Sequence, residues 1–195
     1  MKRKLFPGTI IAFAVALFFT VPLLSSDTSD AEALRERCEK EFKPIEVSVA
    51  NFGDPSDKSG LQEGAKKLKL GKLKITQSKY TEAIDIYNGY LKLQWGIYVS
   101  LAKKYIERTR TINDEIAEEL VDAIDKPKVD DYFKLAYRNL EDAKKAFAND
   151  NPVLAINACR RSKQYSIGVY GLVGKPVPDK YKADLADAGG GIAGK

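Results

Sequence analysis

The sequence predicts an all-α protein: antiparallel helical hairpins stacked as a short repeat-like array or bundle. Three observations carry this. Tyr80, Ala83, Ile84, Tyr87 and Leu91 fall at offsets of 0, 3, 4, 7 and 11, which is one face of an α-helix. Tyr132, Ala136, Leu140, Ala143 and Phe147 repeat the pattern in DYFKLAYRNLEDAKKAFA. NDNP then closes one helix and opens another, with Asn151 placed as N-cap and Pro152 at the first helical position.

The chain opens with a segment of targeting character. Lys2, Arg3 and Lys4 precede a nearly continuous apolar run, Thr9 to Leu24. Ser29-Asp30-Ala31 and Ala31-Glu32-Ala33 both have the small-x-small pattern of a cleavage site. Residues 1–31 are therefore expected to be a signal peptide, which makes the mature chain periplasmic or secreted. The alternative is an uncleaved anchor, with residues 5–24 tethering the chain to the inner membrane. Cys38 lies in charged LRERCEK, away from the apolar run, which argues against a lipoprotein. Cleavage would remove three basic and two acidic residues and leave a net charge near +4.

Residues 32–60 read as an N-terminal helix, AEALRERCEKEF, followed by the turn-rich loop NFGDPSDKSG. That loop fails as a calcium site, because Pro55 takes the first ligand position and Lys66 the last. Residues 61–171 form the helical domain. Within it LKLGKLKI (68–75) alternates with period two, yet a lone strand would have nothing to pair with, so helix is expected. IYVSLAKKYIERTR (97–110) is a further helix. TIND then breaks the pattern with Asn113 as N-cap, and Glu115 to Ile124 follows with Ile116, Leu120, Ala123 and Ile124 facing inward. Asp130 or Asp131 caps the next helix. The last one buries Leu154, Ala155, Ala158, Cys159, Ser162, Tyr165 and Val169. Residues 172–195 read as a flexible tail, extended through GKPVPDKYK with at most a helical turn at ADLADA. Its end formally fits half of a phosphate loop, but no Ser/Thr follows the lysine and no helix can begin there.

SKYTEAIDIYNGYL resembles the second-helix half of a tetratricopeptide repeat. Gly71, Ala83 and Tyr87 have the family's spacing of small residue, small residue and aromatic, and Tyr80 stands where an aromatic opens the second helix. Lys74 occupies the usual first-helix aromatic position. The resemblance implies stacked hairpins that bind protein. Ala83 and Ala117 are one family period apart, and Ala143 and Ala155 repeat the twelve-residue spacing.

The composition restricts the chemistry. The chain has no His and one Met, Met1. His-based acid–base catalysis, His-ligated zinc and His- or Met-ligated haem are excluded for the mature chain. No enzyme, cofactor or metal is expected. Export sets two further expectations: no nucleic-acid partner, and a Cys38–Cys159 disulfide tying the first helix to the last. Closing that loop of about 120 residues would restrict the unfolded chain by roughly 4–5 kcal/mol.

The remaining signals point to protein partners, including possible self-association. Lys66, Lys67, Lys69, Lys72 and Lys74 make one hairpin basic. Asp114, Glu115, Glu118, Glu119, Asp122 and Asp125 make a later helix acidic, which suits head-to-tail matching. The helical tyrosines could form a groove edged by arginine, with Tyr98, Tyr105, Arg108, Arg160 and Arg161 as partner-binding residues. The function expected is an exported, non-enzymatic scaffold or adaptor in the cell envelope. A carrier of a small apolar ligand or lipid is the alternative.

Overall fold

The computed structural model describes the backbone of residues 21–189 and the side chains of residues 27–188. Most of the targeting segment, including all of residues 1–20, lies outside the described residues. Six α-helices follow in order: α1 Val21–Phe52, α2 Pro55–Thr76, α3 Tyr80–Glu119, α4 Pro127–Ala148, α5 Pro152–Leu172 and α6 Asp179–Gly189, with a 3-10 turn at Val121–Ala123. No strand occurs among the described residues. No described helix is long and apolar enough to cross a membrane.

α3 is the axis. Its 40 residues make a rod about 60 Å long. α2 doubles back along its first half as an antiparallel hairpin. α4 and α5 form a second hairpin, which packs on α3 through α5. α1 crosses both α2 and α3. Three apolar clusters lie along the rod. Ala31, Cys38, Ala83, Tyr87 and Tyr90 fill the first. Ile45, Val49, Ile97, Tyr98, Leu101, Tyr105, Ile156 and Cys159 belong to the second. Ile112, Ile116, Leu120, Val129, Phe133, Ile167, Tyr170 and Tyr181 belong to the third.

Local chemistry sets the boundaries. Asp54 caps α2 with a reciprocal box: its side chain accepts from the Asp57 amide at 2.9 Å, and Asp57 accepts from the Asp54 amide at 3.1 Å. Pro55 and Pro127 open their helices at the first turn, where a missing N–H removes no helix bond. The expected cap at Asn151 is present, accepting from Leu154 N at 3.1 Å. Gly71 lies so close to α3 that a Cβ there would sit 2.6 Å from the Tyr87 ring.

Several expectations need correction. α4 begins at Pro127 with Lys126 as its N-cap, so Asp130 and Asp131 lie inside the helix rather than capping it. Ile124, expected to face inward, is 36% exposed. The loop expected before residue 60 shrinks to Gly53 and Asp54. α1 continues through Pro44 to Phe52, and α2 begins at Pro55. TIND is no break: Asn113 is buried inside α3, where it donates to Ser162 Oγ at 3.0 Å and accepts from Ser166 Oγ at 2.5 Å. The spacing from Ala83 to Ala117 therefore falls within one helix and marks no second hairpin. Leu154, expected inside, is 47% exposed. Most consequential, residues 172–189 are not a tail, since α6 packs on α5 and buries Tyr181, Asp184 and Asp187; residues 190–195 of the expected tail lie outside the described residues.

The cysteines lie in different clusters and are both free thiols. Burial pushes each thiol up to about 11, so native labelling near pH 8 should be slow. Alkylation in denaturant should add two labels to the intact mass. A mass with no label would instead establish the bond and require α1 and α5 to approach.

Candidate functional site

Two places stand apart from ordinary helix packing. The first is a groove of about 780 Å3 between α1, α3 and the start of α5. Pro44, Leu91, Trp95, Tyr98 and Val153 supply apolar surface, while Glu36, Arg37, Lys40 and Glu41 bring both signs of charge from α1. Trp95, the chain's one tryptophan, is 47% exposed. Indole left open to this extent in a concave surface is the usual character of a binding anchor.

The second is a buried ionic centre where α6 meets α3 and α5. Arg160 faces Asp187 with Nη2 at 2.9 Å from Oδ1 and Nε at 3.3 Å from Oδ2. Lys163 Nζ lies between Asp184 Oδ1 at 3.0 Å and Asp187 Oδ2 at 3.2 Å. It also sits over the Phe52 and Tyr105 rings, at 4.4 and 4.8 Å from their centroids. Tyr105 donates to Asp187 at 2.8 Å, and Arg108 pairs with Asp184 at 2.8 Å. Arg160 also donates to Ser48 at 3.0 Å, which brings α1 into the network.

Both carboxylates are paired with cations, while Arg160 Nη1 is buried without a hydrogen-bond partner. Burial works to raise the Asp187 carboxyl, but the hydrogen bond from Arg160 and the charges of Lys163 and Arg160 outweigh it and hold it below the ordinary carboxylate value. Beside it, Lys104 pairs with Asp54 at 2.7 Å and with Asp57, locking α3 to the α2 cap.

The residues expected to bind a partner separate between these places. Tyr98 lines the groove. Tyr105, Arg108 and Arg160 converge instead on α6, and Tyr105 and Arg160 are buried there. Arg161 is exposed and donates to Asn139 of α4 at 3.0 Å. Sequence reasoning missed Lys163, Asp184 and Asp187. A signal existed: Arg160 and Lys163 lie among Ala155, Ala158, Cys159 and Ser162 on a face read as internal, and buried cations demand anions.

Comparison of the chain with protein-family models, with curated proteins and with solved structures yields no match.

Proposed function

We propose that this chain is an exported, non-catalytic helical adaptor that holds an amphipathic helical segment of a protein partner in the α1/α3/α5 groove. The observation that carries the reading is Trp95, half exposed beside Leu91, Tyr98 and Val153, with charges of both signs above it on α1. An incoming helix would set its apolar face on Trp95 and pair its flanking charges with Glu36, Arg37, Lys40 and Glu41. Export rests on the basic-then-apolar character of residues 1–31. For a ligand carrier, the space between α1, α2 and α3 beside Gly60 and Gly64 has essentially no room for even a water-sized sphere, against the roughly 300 Å3 where small-molecule sites begin.

In-cell photo-crosslinking from benzoylphenylalanine in place of Lys40, on the α1 wall of the groove, tests this. One dominant envelope protein is the expected adduct. No protein adduct, together with a co-purifying small molecule, would overturn the adaptor reading in favour of a carrier. Trp95→Ala should abolish the same capture while lowering stability by about 1–2 kcal/mol, because about half of the side chain is buried. Urea denaturation of the variant separates lost binding from lost fold.

A further inference from the structure

We infer that α3 and α5 form a receptor for an acidic, tyrosine-bearing helix, and that α6 of a second copy of this chain can occupy it. The receptor is built from Tyr105, Arg108 and Glu115 of α3 and from Arg160 and Lys163 of α5. Among the described residues, every ion pair of Arg160 and Lys163 is made to α6. With α6 in place those two cations are 4% and 1% exposed, and α6 supplies the carboxylates that neutralise them. The occupant must offer a Tyr and two Asp at three-residue spacing on one face, which Tyr181, Asp184 and Asp187 do. Tyr181 donates to Glu115 at 2.8 Å, and Lys180 pairs with the same carboxylate at 3.1 Å.

The connection to α6 is built to point in either of two directions. Residues 173–178 carry no helix or strand. The reversal that brings α6 back depends on Gly174 at φ +71°, beside which the Lys175 amide donates to Tyr170 O at 2.9 Å. Pro176 and Pro178 bias Lys175 and Val177 toward extended backbone. Without the left-handed turn, these six residues can carry α6 up to about 20 Å from α5. Release without replacement would break every described ion pair of Arg160 and Lys163 and uncover the buried Tyr105 and Tyr181, which opposes it. Exchange is different: a second copy restores each of these contacts and changes only the hinge. A foreign acidic helix would have to reproduce the Tyr181 and Lys180 contacts to Glu115 as well. This receptor is distinct from the Trp95 groove, and the inference does not depend on what occupies the groove.

The exposed Lys180–Glu115 pair supplies the test. Equal amounts of 14N- and 15N-labelled full chain are unfolded together, refolded at high concentration, coupled with a zero-length carbodiimide and digested. Exchange predicts mixed-isotope Lys180–Glu115 peptides in the dimer fraction, approaching half of that link there. Gly174→Val should raise their share of the total about fivefold or more, because a β-branched residue resists the left-handed turn. The site itself has open space for the new side chain. Like-isotope links in the monomer report that α6 is docked and the chain folded. Exclusively like-isotope links, in the wild type and in G174V at every concentration, would overturn the inference.

Discussion

Asp187→Ala is expected to lower the unfolding free energy by about 3–5 kcal/mol, the usual consequence of removing one partner from a buried ion pair. The side chain is fully buried in its pairs with Arg160 and Lys163. Its loss leaves a guanidinium deprived of its two carboxylate contacts and an ammonium with Asp184 alone, in surroundings formed by the Phe52 and Tyr105 rings. Tyr105 loses its acceptor at the same time. Urea denaturation followed by far-UV circular dichroism measures the effect, and a loss below about 1 kcal/mol would mean that water reaches Arg160 and Lys163 readily.

The pH dependence has a definite sign. The Asp187 carboxyl titrates lower in the fold than in the unfolded chain, where its ordinary value is 3.8. Such a group stabilises the fold above its unfolded value, and that contribution disappears as pH falls through the folded value. The wild type should therefore lose stability below about pH 4 more steeply than Asp187→Ala. Parallel acid limbs for the two proteins would contradict the assignment.

The second large effect is at the α2–α3 contact. Tyr87→Ala should destabilise by about 3–5 kcal/mol, because a fully buried aromatic is replaced by a void between two helices. Gly71→Ala should destabilise the wild type by about 1–3 kcal/mol, since its methyl would meet the Tyr87 ring. In the Tyr87→Ala background the same substitution should reverse sign and stabilise by up to about 1 kcal/mol, the helix preference of Ala over Gly. A double-mutant cycle reads this directly. Additive effects would show that Tyr87 does not set the spacing of the helices.

The same pair shows why much of the fold was legible. Gly71, Ala83 and Tyr87 carry their message in size and period, and both survive in a one-dimensional string. The stripe of α4 reads correctly for the same reason, and Asn151-Pro152 places a boundary because capping is local chemistry. The misreadings share a different cause. Asn113 looked like a cap because its amide suits one, but inside α3 it is satisfied by serines 49 and 53 residues further along the chain. The C-terminal segment looked like a tail because apolar periodicity cannot register a face whose buried side chains are mainly carboxylates. Their partners on α5 are distant in sequence, so only the tertiary fold reveals α6. The groove was half visible: Tyr98 was identified, but the expected arginines disperse, Arg108 and Arg160 to α6 and Arg161 to α4, and charges on α1 take their place.

The continuity of α3 has a mechanical consequence. Its first stretch holds the cluster around Tyr87, its middle the cluster around Tyr105, and its far end the cluster around Ile112 and Ile116. Sliding α3 lengthwise past its neighbours would shear the three clusters together, so they resist in parallel and their strengths add. The uninterrupted helix shares a pull on any one cluster with the other two, which favours a single yielding event over stepwise loss of sections.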